Sequence, residues 1–86
     1  MFAYKDKFGT MHMVERKEVA ERSAAGPVVE TNFPSTGTGY PAVEGKTLFV
    51  YVNEGKAYLG GNTPETGVPY DIESNAELSA LVNKIK

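Results

Sequence analysis

The sequence contains no cysteine, and it has a single histidine among its 86 residues. Without thiols the chain cannot form disulfides, thiolate metal sites or a cysteine nucleophile. One histidine also falls short of the ligand sets that hold zinc, and no calcium-binding loop motif is present. We therefore expect no cofactor and no metal, so the domain must be stabilised by packing alone.

Long apolar runs and a strong net charge are missing as well. No run approaches the roughly 20 residues that span a bilayer, and the first residues lack the basic and apolar parts of an export signal. This pattern predicts a soluble, cytoplasmic chain without a membrane partner, the alternative being an export signal removed earlier. The net charge is −2 and the nine basic residues are scattered, which argues against a nucleic-acid partner.

What is present is the composition of an ordinary globular protein, with 41% hydrophobic and 23% charged residues. The length predicts one small domain spanning residues 1–86. Eight of the nine glycines and all five prolines lie between Gly26 and Pro69. The chain thus has a turn-rich middle, which also holds most of the acidic excess, between two more regular ends.

The N-terminal segment alternates in polarity on both sides of a turn at residues 6–9, which predicts a β-hairpin. Pairing Tyr4 with Met11 and Phe2 with Met13 would place these four apolar side chains on one face. We predict this register. Residues 15–25 then change to a helical period before the Gly-Pro step, and residues 27–31 read as a strand.

A second hairpin turns at residues 54–55. A two-residue loop there pairs Val50 with Leu59 and Tyr51 with Tyr58, so that aliphatic and aromatic side chains occupy opposite faces. A three-residue loop would instead place Val50 beside Tyr58. The side-chain matching favours the shorter loop.

The C-terminal segment predicts a helix, because Ser74 and Glu77 have the spacing of a capping box. One face of this helix is apolar and consists of Leu78, Leu81, Val82 and Ile85. The element order is then β-β-α-β-(β)-β-β-α. This order predicts a two-layer α+β fold with an antiparallel or mixed sheet of about four or five strands and both helices on one face.

The central strand, residues 47–53, is apolar on both faces. Leu48, Val50 and Val52 alternate with Phe49 and Tyr51, and Tyr58 joins the aromatic side from the next strand. Helices can cover only one of these faces. The aromatic face is either a recognition or self-association surface, or it is covered by the loop of residues 32–45, which would bury Tyr40 or Phe33 against Phe49.

Two other features have a weaker connection to function. Gly37-Thr38-Gly39 offers backbone amides and a hydroxyl that could hold an anion, although it lacks the lysine of a phosphate loop, and an ordinary turn is the alternative. His12 is either a structural residue or a base assisted by Asp6, Glu15 or a serine. No spacing in the sequence assembles a catalytic triad.

These observations favour a non-enzymatic binding or protein-interaction module that acts through the aromatic sheet face or through a sheet edge. Its partner would be a protein, a second copy or a small ligand. The candidate binding residues are Phe49, Tyr51, Tyr58, Tyr40 and Thr38. The alternative is a small enzyme that uses His12 with a nearby carboxylate or hydroxyl beside the loop of residues 32–45.

Overall fold

Strands, two α-helices and one 3-10 turn alternate along the chain in the computed structural model, which describes residues 1–86. The elements are β1 (Phe2–Lys5), β2 (Met11–Val14), α1 (Lys17–Ser23), β3 (Val29–Glu30), β4 (Ala42–Val43), β5 (Lys46–Tyr51), β6 (Lys56–Leu59), β7 (Val68–Pro69), the 3-10 turn Ile72–Ser74 and α2 (Ala76–Lys84). The α+β class is confirmed. β4 is the optional strand of the predicted order, and β7 is an additional one.

The strands form two antiparallel sheets, with orders β2-β1-β3 and β4-β5-β6-β7, where one sheet of four or five strands was expected. The sheets meet at one bridge between Thr10 and Tyr51. They do not merge, because the outer edge of β2 is used elsewhere: the Met13 amide donates to the Gly39 carbonyl at 2.7 Å. The loop of residues 32–45 thus occupies the edge along which β5 would have to pair.

The predicted register of the first hairpin is wrong by one residue. Tyr4 pairs with His12, and Ala3 pairs with Met13. The cause is the turn, in which Gly9 has a φ of 87° and its amide donates to the Asp6 carbonyl at 3.1 Å. A turn followed by a left-handed glycine forms a three-residue loop with a bulge, one residue shorter than the loop that the predicted register requires.

This register changes which side chains enter the core. Ala3, Met11 and Met13 are fully buried in the main hydrophobic cluster. Tyr4 lies on the opposite face, because its partner across the ladder is His12. The expected grouping of Phe2 and Tyr4 with the two methionines is therefore replaced by a grouping with Ala3.

The second hairpin adopts neither of the two predicted registers. Val50 pairs with Ala57 and Phe49 pairs with Tyr58, around a turn in which the Gly55 amide donates to the Val52 carbonyl at 3.3 Å. Val52 cannot join the ladder, because its own amide donates to Gly9. The register differs by two residues from the favoured one, so each side chain keeps its predicted face.

The core lies between the sheets and α2, whose apolar face was predicted correctly. The cluster consists of Ala3, Met11, Met13, Phe33, Val43, Leu48, Val50, Val52, Ala57, Leu78, Leu81, Val82 and Ile85. The N-cap of α2 is Asn75, not Ser74: its side-chain oxygen accepts from the Leu78 amide at 3.1 Å. The Ser74 hydroxyl instead donates to the Asp71 carbonyl within the 3-10 turn.

The first helix is shorter than the predicted range of residues 15–25. Its one buried residue is Ala20, which is not a member of the main cluster. The Arg16 side chain at its N-cap makes no capping hydrogen bond, and the apolar stripe is thin. That α1 lies on the same face as α2 therefore stays a prediction.

Replacing Gly9 with alanine should destabilise the protein strongly. The left-handed backbone alone costs about 1–2 kcal/mol for an alanine, and the added Cβ would overlap the amide of Asn53. Gly26→Ala is the matched control, because no atom lies within 4 Å of its Cβ position and its φ is not left-handed. Urea denaturation of both variants measures the difference. A Gly9→Ala variant as stable as Gly26→Ala would contradict this account of the turn.

Candidate functional site

The side of β5 and β6 that faces away from the core carries three aromatic residues, as predicted. Phe49 and Tyr58 are direct partners across the ladder. The rings of Tyr51 and Tyr58 contact each other edge to face, with centroids 6.2 Å apart and an interplanar angle of 78°. All three side chains are half-buried. We call these three residues the aromatic face.

The loop of residues 32–45 folds back over one end of the aromatic face. The Tyr40 ring lies 4.7 Å from the Phe49 ring, centroid to centroid, at an angle of 46°. Phe33 does not take part, because it is 8% exposed within the core cluster on the other side. Tyr40 is therefore the residue that covers Phe49. Tyr51 and Tyr58 form the part of the aromatic face that Tyr40 does not cover.

A row of stacked rings continues from Tyr40 into the other sheet. The His12 ring lies 5.3 Å from Tyr40, and on its other side it stacks on Tyr4 at 5.3 Å with an angle of 22°. This row links the first hairpin, the loop and β5. No pattern in the sequence indicated that two tyrosines flank His12.

The imidazole of His12 is also held by Asp6, with 2.6 Å between Nε2 and Oδ2. The other carboxylate oxygen accepts from the amides of Phe8 and Thr10 at 2.8 and 3.0 Å. Burial raises the pKa of Asp6, but the hydrogen bonds from His12 and from the two amides outweigh it, so the pKa is lowered. The pKa of Tyr40 is raised by burial and then by the negative charge of Asp6.

The pair of Asp6 and His12 has the arrangement of a base with its orienting carboxylate. The imidazole is nevertheless enclosed between two rings, and it lines none of the five main cavities. No three side chains of the types that bind metals lie together. The geometry thus favours a structural role for His12, in which it joins the turn to the loop.

Two open hollows divide the predicted binding residues between them. The larger has a volume of about 360 Å³ and is lined by Phe8, Gly9, Tyr51, Asn53, Glu54, Lys56, Tyr58 and Pro64. We call it the tyrosine cleft. The second, of about 300 Å³, is lined by Thr38, Tyr40, Thr47, Phe49, Gly61 and Asn62. The structure therefore brings Tyr51 together with Tyr58, and Thr38 together with Tyr40 and Phe49.

The tyrosine cleft contains residues that the sequence did not indicate. Phe8 lies in the turn between β1 and β2 and is 74% exposed, the highest value among the large apolar side chains. Asn53 comes from the turn after β5, and Pro64 from the loop before β7. An apolar residue at the tip of a predicted turn was the one available signal for Phe8.

The loop hydroxyls around Thr38 bond to one another. The Thr36 hydroxyl lies 2.7 Å from that of Thr38 and 3.2 Å from that of Thr47, and the Gly37 amide donates to the Ser35 hydroxyl at 3.2 Å. These bonds occupy groups that an anion would need. They support the interpretation of this segment as an ordinary turn.

Neither helix has the length and apolar character needed to cross a membrane. Comparisons with protein-family models, with curated protein sequences and with solved structures found no match. The geometry of the chain itself is therefore the basis on which a function can be assigned.

The stability of the protein should depend on the ionisation of Asp6. Since its pKa in the folded protein is below the ordinary value, the carboxylate stabilises the fold above about pH 4, and this contribution is lost as the pH falls through the lowered pKa. Asp6→Asn should reduce the free energy of unfolding by about 1–2 kcal/mol at pH 6. The difference from the unmodified protein should shrink below about pH 4.

Urea denaturation between pH 2 and pH 7 measures this effect. Glu15→Gln is the control, because the Glu15 carboxylate is exposed and makes no ion pair. It should change the free energy of unfolding by less than about 0.5 kcal/mol. An Asp6→Asn difference that is the same at all pH values would contradict the assignment.

Proposed function

We propose that this protein is a non-enzymatic binding module and that the tyrosine cleft is its recognition site. The observation that carries the proposal is the incomplete cover of the aromatic face: Tyr40 packs on Phe49, but Tyr51 and Tyr58 line the open tyrosine cleft. Phe8 extends this apolar surface from the other sheet. Contiguous exposed aromatic surface is typical of recognition sites, where tyrosine is enriched.

A sheet edge is the less favoured binding surface. The edge strands β3, β4 and β7 have two residues each, and Pro69 in β7 has no amide to donate. The outer edge of β2 is already bonded to Gly39 of the loop. Short strands and edge prolines are the features by which proteins prevent further strand pairing. The tyrosine cleft is therefore better supported as a binding surface than a sheet edge.

Basic side chains slightly outnumber acidic ones around the cleft. Lys56 is paired with Glu54 at 3.3 Å, and both side chains are largely exposed. Lys5 bonds to the Asn53 side chain, and Lys7 Nζ lies 5.2 Å from the centre of the Phe8 ring. A nucleic-acid strand would require a larger cluster of basic residues. A protein segment, a second copy or a small ligand therefore fits the cleft better.

Phe8→Ala should weaken binding at the cleft while leaving the fold intact, because Phe8 is 74% exposed. Loss of an aromatic anchor typically costs more than about 1 kcal/mol of binding free energy. The measurement is ¹H–¹⁵N chemical-shift perturbation with peptide and oligosaccharide libraries, combined with light scattering for self-association. Val68→Ala, at a position 64% exposed and outside the cleft, is the matched control and should bind normally.

The proposal fails under either of two results. One is that every binder found shifts amides outside the cleft. The other is that Phe8→Ala and Val68→Ala weaken binding equally.

A further inference from the structure

The tip of the loop of residues 32–45 lies between two firmly anchored ends. Phe33 on one side and Val43 on the other belong to the core cluster, and Pro41 is fully buried. Residues 35–40 between these anchors contribute no side chain to that cluster. We call residues 35–40 the strap.

Two hydrogen bonds join the strap to the rest of the chain. The Met13 amide donates to the Gly39 carbonyl at 2.7 Å, and the exposed Thr36 and Thr47 hydroxyls lie 3.2 Å apart. The remaining bonds are internal, and the Tyr40 carbonyl alone accepts from two donors within the strap. A segment bonded mainly to itself can open locally while the rest of the protein stays folded.

The ring of Tyr40 is the one large side chain of the strap and its third attachment. It packs between Phe49 and His12, with ring centroids 4.7 and 5.3 Å away. The His12 ring is fixed in turn by Asp6, with 2.6 Å between Nε2 and Oδ2, and both side chains are 23% exposed. The Asp6 carboxylate is thus connected to the strap through His12 and Tyr40.

We propose that the pair of Asp6 and His12 is a latch that holds the strap closed over Phe49, and that protonation of Asp6 in acid releases the strap. A hydrogen bond to an ionised acceptor is about twice as strong as one to a neutral acceptor, so the bond from His12 weakens when the carboxylate takes up a proton. Opening of the strap adds Phe49 to the exposed part of the aromatic face. The latch does not depend on the proposed binding function.

The direction of the pH effect follows from Asp6. Its pKa is lowered in the closed structure, so the latch is intact above about pH 4 and is lost as the pH falls through the lowered pKa. Tyrosine stays neutral and lysine stays positive throughout this range. Those are the other titratable types around the pair and Tyr40, namely Tyr4, Tyr40, Tyr51, Lys5 and Lys7.

The test is amide hydrogen exchange of the ¹⁵N-labelled protein between pH 2 and pH 5, with rates expressed as protection factors. The reporter is the Met13 amide, because its acceptor, the Gly39 carbonyl, moves with the strap. We expect its protection factor to fall about threefold to tenfold towards pH 2, the effect of one weakened hydrogen bond. Dilute urea should hardly change this exchange, because a local opening exposes little surface.

Three variants separate the latch from the ring packing. His12→Phe keeps a ring beside Tyr40 but cannot bond to Asp6, so the Met13 protection factor should no longer respond to pH. Tyr40→Ala removes the ring and should lower this protection factor at every pH. Tyr40→Phe keeps the ring and is the matched control, which should behave as the unmodified protein does. Urea denaturation of each variant checks that the fold is kept.

Three results would overturn the proposal. If the exchange of Met13 rises with urea as steeply as global unfolding does, the strap opens only when the whole protein unfolds. If the Met13 protection factor is the same at pH 2 and pH 5, protonation of Asp6 does not reach the strap. If His12→Phe shows the same pH response as the unmodified protein, His12 does not connect the carboxylate to the strap.

Discussion

The hydrogen bond from the Val52 amide to the Gly9 carbonyl, 2.7 Å long, joins the turn of the first hairpin to the end of β5. Several other features depend on it. Because of this bond, Val52 is not part of the ladder with β6. The second turn is therefore two residues longer than the predicted two-residue loop. The bond also brings Phe8 beside Tyr51, so that the two turns form the walls of one cleft. Only a left-handed residue at position 9 directs the carbonyl this way, which is why glycine is required there.

The sequence was sufficient to predict the type and order of most elements and the buried faces of β2, β5 and β6, but not that of β1, where Ala3 enters the core in place of Phe2 and Tyr4. Alternation of side chains determines which face is apolar, and this held for Leu48 and Val50 even though the register differed. Register itself depends on turn geometry and on contacts from distant segments. The bond to Val52 comes from a residue more than forty positions away, and no local pattern indicates it.

Part of the candidate site was predictable, because strand alternation determines which side chains share a face. Phe49, Tyr51 and Tyr58 share a face through strand alternation, and Tyr40 was one of two named candidates to cover it. The other walls of the cleft come from turns and loops, whose side chains have no period. The contact between Asp6 and His12 likewise required the one-residue change in register, because it depends on where the turn directs the carboxylate.

The cleft has one wall from each sheet, and the sheets are joined by a single bridge, Thr10 to Tyr51, in addition to the core that they share. An occupant that touches Phe8 and Tyr58 at once would therefore act as a bridge between two halves of the molecule. Its binding free energy would add to the cohesion of the junction, since a ligand that prefers the folded state shifts the folding equilibrium. In such an arrangement recognition and stability would be coupled. A bound partner would hold together two parts of a chain that has no disulfide to do so.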